Sequence, residues 1–143
     1  MIAPKITLDT NILIYSIDST ESHRHKKALE LMQRLLTEDC SLLLQALCEF
    51  FHATTRKKIV PIEVAKDQIE DWQQLFPTLY AKPTTVNRAL KAVTQHQLQF
   101  WDAMLWAAAK ESGITLILTE DFQHGRTLEG VKFMNPFITN DYL

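Results

Sequence analysis

The sequence is poor in glycine and has no long apolar run, and each shortage removes a class of protein. Only 3 of the 143 residues are glycine, and none stands in a GxGxxG or P-loop pattern, so dinucleotide and Walker-type NTP binding are not expected. No apolar run approaches the ~20 residues that span a bilayer. The first residues also lack the apolar region of a signal peptide, so we expect a cytoplasmic protein that makes no use of a membrane.

Positive charge and cysteine are scarce as well. The formal net charge is -2, whereas a typical DNA-binding domain is basic, so a simple electrostatic nucleic-acid binder is disfavoured. A nuclease whose acidic site is neutralised by metal ions remains compatible with this charge. The two cysteines, Cys40 and Cys48, form no CxxC pair, and we predict that both are reduced and buried.

Short apolar runs alternate with helical stretches, which predicts one α/β domain over residues 1–143. The runs are apolar on both faces, as in a parallel sheet that is covered on both sides. The predicted strands are 5–8, 41–44, 78–81, 115–119 and 131–134, of which 41–44 also suits the entry to a helix. The predicted helices are 11–17, 22–37, 45–57, 61–76, 84–95 and 100–112, and Gly113 is expected to end the last one.

Four acidic residues occupy positions that carry the functional prediction. Asp9 ends the first predicted strand and Asp121 follows the fourth, and ligand sites of open α/β sheets form just outside these strand ends. Glu49 and Asp102 lie in the first halves of predicted helices, within apolar surroundings. A buried carboxylate is costly unless it is paired, hydrogen-bonded or bound to metal. If the two helices pack beside the strand ends, the four carboxylates converge.

Each acid also has an ordinary structural interpretation. Asp9 suits a helix N-cap and Asp102 suits the first turn of a helix, where negative charge is favourable. Glu49 also fits an exposed stripe on a half-buried helix. Asp121 also fits a turn, and Glu120 is a competing acid beside it. The prediction therefore rests on the arrangement of the four acids and not on any one of them.

Converging carboxylates repel one another, and this points to a bound cation. Hard divalent ions such as Mg²⁺ or Mn²⁺ relieve the repulsion because they prefer oxygen ligands, and one or two of them suit phosphodiester hydrolysis. A zinc site is disfavoured because His23 and His25 are two residues apart, which is the wrong spacing for one helical face, and no Cys/His cluster supports them.

The residues around these acids resemble the motifs of a known family over nearly the whole chain. The opening LDTNILIYSID is similar to the first motif of PIN-domain nucleases, and among them of the VapC-like toxins of bacterial toxin–antitoxin modules. CEF carries the second acid, and FWDAMLWAAAKESG resembles the third motif. LILTEDFQHG resembles the fourth and looser motif, a Thr/Ser-x-Asp pattern.

This resemblance implies a fold, an activity and partners. The fold is a three-layer α/β/α sandwich with a parallel sheet of about five strands, and the activity is Mg²⁺- or Mn²⁺-dependent cleavage of single-stranded RNA. Thr10 and Asn11 would orient Asp9 and the hydrolytic water, and Thr119 would support Asp121. The expected partners are the RNA substrate, a cognate antitoxin protein and a second copy of the chain. The implied catalytic, metal-binding acids are Asp9, Glu49, Asp102 and Asp121.

Contacts to RNA are assigned by chemistry alone, because single-stranded RNA binds to cations and aromatic rings. His52 and Arg56 follow Glu49 along one predicted helix, and His124 and Arg126 follow the fourth acid in a predicted loop. A solvated helix end and a surface loop are the alternatives. Core or dimer contacts are instead predicted for the three tryptophans: Trp72, Trp101 and Trp106.

Two other enzyme or signalling classes fit poorly, and one alternative stays open. A haloacid-dehalogenase-type phosphatase needs a second Asp where Asn11 stands. A receiver domain needs an acidic neighbour of Asp9 and a Lys after its last strand, where Asn135 stands. The open alternative is a non-catalytic module with the same fold that binds RNA or protein, against which the intact set of four acids argues.

Overall fold

Helices and short strands alternate along the chain, as the apolar pattern predicts. The computed structural model describes residues 2–141. The helices in this part of the chain are α1 (Thr10–Tyr15), α2 (Ser22–Leu35), α3 (Leu44–Arg56), α4 (Ile62–Leu75), α5 (Pro83–His96) and α6 (Phe100–Glu111). Its strands are β1 (Ile6–Leu8), β2 (Leu42–Leu43), β3 (Thr78–Leu79), β4 (Leu116–Leu118), β5 (Thr127–Leu128) and β6 (Val131–Met134).

The strands form a mainly parallel sheet with β1 near its centre. One ladder has the order β1-β4-β6-β5, in which β5 alone is antiparallel, and a second ladder pairs β2 with β3 in parallel. A parallel bridge between Ile6 and Cys40 connects the two ladders. The backbone N–H of Ile6 donates to Asp39 at 2.8 Å, and that of Ser41 donates to Ile6 at 3.0 Å. The five parallel strands of the prediction are thereby confirmed.

Helices cover both faces of this sheet. Every residue of β1 and β4 is buried, and successive side chains of a strand point to opposite faces, so both faces must be covered. Residues 103–109 of α6 are buried without interruption. Ala89 and Ala92 of α5 are also buried, and such small side chains allow α5 to pack closely along α6. The predicted three-layer α/β/α arrangement follows from this burial.

Some helix starts and ends follow from residues that are visible in the sequence. Pro83 opens α5 at a position where its missing N–H is not needed. Gly113 lies just beyond α6 with φ of +79°, the left-handed conformation that commonly ends a helix. Several helices end slightly earlier than predicted, for example α1 at Tyr15 and α2 at Leu35. Within residues 2–141, no helix is both long and apolar enough to cross a membrane.

One strand was not predicted. Thr127–Leu128 pairs with the start of β6 through a two-residue turn, Glu129 and Gly130, in which both residues have positive φ. Such turns match the twist of a hairpin and normally contain Asn-Gly or Asp-Gly. Glutamate in the first turn position hid the signal, so the hairpin was missed.

The burial predicted for Cys48 is wrong, and of the two roles predicted for the tryptophans, core or dimer contact, Trp101 does not take the first. Cys40 is buried as expected, but Cys48 is exposed on α3. Trp72 and Trp106 are core residues with 4% and 1% of their surface exposed, whereas Trp101 is 59% exposed. Trp101 lies in the first turn of α6, ahead of the buried run of that helix, and therefore stays at the surface.

Candidate active site

The site begins where two neighbouring strands end. Because β1 and β4 are adjacent and parallel, Asp9 and Thr119 follow them at the same edge of the sheet, and the backbone N–H of Asp9 donates to Leu118 at 3.0 Å. Asp9 is only 7% exposed and is also the N-cap of α1. One of its carboxylate oxygens accepts from the backbone N–H of Thr10 at 2.6 Å, and the other accepts from the Thr119 hydroxyl at 2.7 Å. Both oxygens are therefore held in a fixed orientation.

Asp121 approaches Asp9 through the same threonine. Its backbone N–H donates to the Thr119 hydroxyl at 3.1 Å, and this hydroxyl in turn donates to Asp9. The side-chain amide of Asn11 donates to the Asp121 carboxylate at 3.0 Å. Asn11 and Thr119 thus contact Asp121 from α1 and from the end of β4. The resemblance implies the contact of Thr119 with Asp121, but it assigns Asn11 to Asp9.

The two helical acids complete the group. Glu49 is exposed on α3, where its carboxylate accepts from the Thr10 hydroxyl at 3.1 Å and from the side-chain amide of Gln45 at 2.6 Å. Asp102 is half-buried in the first turn of α6. Within residues 2–141, no side chain forms a hydrogen bond or ion pair with Asp102. Each acid therefore keeps its ordinary structural position, such as a helix cap, an exposed stripe or the first turn of a helix. These positions are compatible with convergence of the four acids.

The negative charges of neighbouring acids raise the pKa values of Asp9 and Asp102. Burial raises the pKa of Asp9 from 3.8 to about 7, and the negative charge of Asp121 adds to this effect, while the hydrogen bonds from Thr119 and Thr10 partly oppose it. Burial also raises the pKa of Asp102, and the charges of Asp121 and Glu49 add to that shift. The site is thus a concentration of negative charge without a counter-ion among the described residues.

Glu120, the competing acid, has a different set of partners. It accepts a hydrogen bond from the Tyr15 hydroxyl and forms an ion pair with Arg24 at 3.0 Å. The Arg24 guanidinium lies over the rings of Tyr15 and Phe137, at 5.6 and 5.7 Å from their centroids. Burial and the hydrogen bond to Glu120 raise the pKa of Tyr15 to about 12. Glu120 therefore joins α1 to α2, whereas Asp121 bonds to Asn11.

The predicted RNA-contact residues fall into two groups. His52 lies one turn from Glu49 on α3, and Arg56 is exposed at the end of the same helix. His124 lies in the loop after β4, where its ring Nδ1 accepts from the backbone N–H of Asn135 at 3.0 Å. Arg126 comes directly before β5, and its backbone carbonyl accepts from Phe133 at 2.8 Å. His52 therefore lies beside Glu49, whereas Arg56 lies two helical turns beyond it. His124 and Arg126 form hydrogen bonds with the backbone of Asn135 and Phe133.

An open groove adjoins the acids on the α3 side. Its volume is about 460 Å³, and its lining consists of Gln45, Cys48, Glu49, His52 and Trp101. The sequence predicts His52 and Glu49 as site residues, whereas it predicts a core or dimer contact for Trp101. The available signal was the position of Trp101, directly before the third acid and ahead of the apolar run of its helix.

The donor atoms suit a hard divalent ion, although they do not form a closed cage. Within the described ranges, no three His, Cys, Asp or Glu side chains are placed to enclose an ion by themselves. Mg²⁺ normally takes one or two carboxylates and retains several waters, so an incomplete oxygen set is sufficient for it. Asp102 has no side-chain hydrogen-bond partner in the part of the chain that the structure describes, and Asp121 binds Asn11 through one oxygen, which leaves oxygen atoms for such an ion.

The fold and the site together define a class, namely an α/β protein with acids gathered at the C-terminal ends of parallel strands. Residues 6–128 match the PIN domain family, and the chain belongs to that family. PIN-domain proteins are nucleases, and these nucleases generally depend on divalent metal ions. A comparison with curated proteins gives no match.

Solved structures with this fold include several toxins. A toxin–antitoxin complex from Klebsiella pneumoniae matches with a TM-score of 0.68 and 15% identity, over 92% of this chain and 97% of that chain. VapC20 from Mycobacterium tuberculosis, a toxin that cleaves the sarcin-ricin loop, matches with a TM-score of 0.63 and 16% identity, over 81% of this chain and 89% of that chain. DNA-bound VapBC from Salmonella typhimurium matches with a TM-score of 0.67 and 16% identity, over 93% of this chain and 98% of that chain. At these identities the likeness concerns the fold alone.

Proposed function

We propose that this protein is a metal-dependent endoribonuclease that hydrolyses phosphodiester bonds of single-stranded RNA. The observation that carries the proposal is the buried carboxylate of Asp9, fixed by two hydrogen bonds and surrounded by further acids. Burial makes this charge unfavourable in the empty protein, so a purely structural role is costly. A function that brings a cation to the site explains why the acids are there.

Four acids would hold Mg²⁺ or Mn²⁺, and the supporting residues would orient them. A bound divalent ion lowers the pKa of water and neutralises negative charge on a reacting phosphate. Asp9 contributes a carboxylate that cannot rotate, because Thr10 and Thr119 bind its two oxygens. Asn11 directs Asp121 toward Asp9. In the proposed reaction water attacks phosphorus in line, the bond to the leaving nucleoside oxygen breaks, and no covalent enzyme intermediate forms. The proposed metal-binding acids are Asp9, Glu49, Asp102 and Asp121.

The partners are proposed from the relatives and from the charge of the site. Proteins of this fold include a toxin that cleaves the sarcin-ricin loop and toxins in complex with antitoxins. We infer that this chain is the toxin of such a pair, acts in the cytoplasm and forms a homodimer. A cognate antitoxin could neutralise the exposed acids with a basic side chain, which would exclude both the ion and RNA.

Cleavage of RNA by matched variants tests the proposal. Purified protein is incubated with single-stranded RNA and Mg²⁺ or Mn²⁺, beside Asp9→Asn and beside an EDTA control. Asp67→Asn serves as the matched control, because Asp67 is an exposed acid on α4, remote in sequence from the four acids. We expect cleavage by the parent chain and by Asp67→Asn only.

The outcomes separate the enzyme from a non-catalytic module. Equal cleavage by Asp9→Asn would place the activity elsewhere or in a contaminant. If no RNA is cut, a calorimetric titration with Mn²⁺ decides: binding that Asp9→Asn abolishes supports the metal site, and absence of binding favours a module that binds RNA or protein without cleaving it.

A further inference from the structure

The groove beside the acids has two walls of different chemistry. One wall is a stripe of α3 formed by Gln45, Cys48, Glu49 and His52, whose spacing of three and four residues puts them on one helical face. The other wall is Trp101, in the first turn of α6. The side-chain amide of Gln45 connects the walls, because its nitrogen donates both to Glu49 at 2.6 Å and to the Trp101 carbonyl at 3.2 Å.

Trp101 is unusual among the tryptophans of this protein. It is 59% exposed, whereas Trp72 and Trp106 are almost completely buried. Its ring contacts Phe100 edge to face, with centroids 5.0 Å apart. A large aromatic ring left in water is unfavourable unless a partner covers it, and Tyr and Trp rings are common where one side of the ring binds a ligand.

The groove is continuous with the acid cluster. Glu49 belongs to both, and Asp102 follows Trp101 directly in the chain. An RNA strand with one phosphate at the acids would therefore have a neighbouring group in the groove. With a volume of about 460 Å³, the groove lies within the range of pockets that hold small ligands, ~300–1,000 Å³.

We propose that this groove binds an unpaired nucleobase of the RNA, stacked on Trp101, next to the phosphate that is cut. This inference rests on the proposed function and names the part of the substrate that the site selects. Stacking on an aromatic ring is available to any base, and it requires that the base be free of a duplex. The imidazole of His52 and the amide oxygen of Gln45 can accept or donate hydrogen bonds at the base edge. Trp101 is thus a positioning residue that selects single-stranded RNA.

The groove combines a mainly apolar lining with a few polar groups, and this combination suits a base, whose face is apolar and whose edge is polar. Three of the five lining residues are polar or charged, and Glu49 carries negative charge into the groove. An apolar segment would leave the His52 ring and the Gln45 amide oxygen without hydrogen bonds, whereas a base offers donors and acceptors on its edge and a flat face to the indole. A protein partner that covers Trp101 instead is an outcome of the test below.

The buried state of the other tryptophans provides a direct optical test. In an Asp9→Asn background, which prevents cleavage, a short unstructured RNA of mixed sequence is titrated in Mg²⁺ while tryptophan emission is recorded. We expect saturable quenching, because stacking affects Trp101 alone, and we expect a duplex of the same sequence to leave the emission unchanged. Quenching should disappear in Trp101→Leu, which keeps an apolar side chain but has no aromatic face.

Affinity is measured in parallel by anisotropy of labelled RNA. Trp101→Leu should weaken binding by roughly 5- to 150-fold, the range that corresponds to one stacked base, and Trp101→Phe should recover most of it. Leu90→Ala, an exposed apolar residue on α5 outside the groove, is the matched control and should bind like the parent. Sedimentation of each variant reports the oligomeric state.

The outcomes are distinguishable from failure of the proposed function. RNA binding without quenching, or equal affinity of Trp101→Leu, would overturn the stacking proposal even if the parent chain cleaves RNA. A changed oligomeric state in Trp101→Leu with unchanged RNA affinity would assign Trp101 to a subunit contact and overturn it as well. Binding that depends on Trp101 in a chain that neither cleaves RNA nor binds Mn²⁺ would support the groove while refuting the ribonuclease.

Discussion

Replacing Asp9 by asparagine should make the metal-free protein more stable while it removes the function. The difference between a pKa of about 7 in the folded chain and the ordinary 3.8 corresponds to about 4 kcal/mol. Between these two pH values the folded protein keeps a proton that the unfolded chain has released. The stability of the metal-free protein therefore falls as the pH rises from about 4 to about 7, and it changes little from this source above pH 7.

Asparagine removes the charge at a small cost in hydrogen bonding. Its carbonyl oxygen can still accept from the backbone N–H of Thr10. Its NH₂ group, however, faces the Thr119 hydroxyl, which now loses its acceptor, at a cost of about 1 kcal/mol. The net gain at pH 8 is therefore about 3 kcal/mol, a large fraction of the stability of an ordinary domain.

Urea unfolding in EDTA at pH 5 and pH 8 measures this effect. Between these pH values the parent chain should lose stability that Asp9→Asn keeps, while Asp67→Asn follows the parent. Added Mn²⁺ should restore the parent at pH 8 and leave Asp9→Asn unchanged, because an ion that binds only the folded state stabilises it. Equal stability of the parent and Asp9→Asn at pH 8 would refute the claim that burial of this charge is costly.

Three further predictions concern the residues around the acids. Asp121→Asn should abolish cleavage, whereas Glu120→Gln should keep the cleavage rate within about tenfold of the parent. Glu120→Gln should also lower the free energy of unfolding by only about 1 kcal/mol, because the ion pair of Glu120 is partly exposed. Cleavage rates and urea unfolding of the two variants give the comparison. Glu120→Gln should also lower the pKa of Tyr15 from about 12 toward 10.0, which titration of phenolate absorbance measures, and an unchanged value would mean that burial alone sets it. Thr119→Val removes the hydroxyl that binds Asp9 and should weaken Mn²⁺ binding about 10- to 100-fold in calorimetry; unchanged affinity would show that Thr119 is not required to orient the acid.

The sequence predicts the positions that depend on local pattern. Strand ends and helix starts follow from apolar spacing and from capping residues, so Asp9 and Asp121 could be placed at one edge of the sheet before any coordinates were known. Parallel pairing of β1 with β4 then brings them together. The fold class was accessible for the same reason, because buried runs that alternate with helices leave few other arrangements.

Long-range partners were not accessible in this way. The contact of Glu120 with Tyr15 and Arg24 joins residues about a hundred positions apart, and no local pattern encodes it. The surface position of Cys48 likewise depends on which helices pack together. The β5 hairpin was missed because its turn uses glutamate where asparagine or aspartate is usual.

Gln45 forms two hydrogen bonds, and its side chain therefore affects both the width of the groove and the direction of the Glu49 carboxylate. Its amide sets the separation of α3 from the start of α6, and the same nitrogen sets the direction of the Glu49 carboxylate. The width of the groove and the aim of the acid cannot change independently while this residue is glutamine. If the groove binds RNA and Glu49 binds the ion, as proposed, a shorter or longer side chain at position 45 would alter both contacts at once, and selectivity and catalysis would be coupled through this residue.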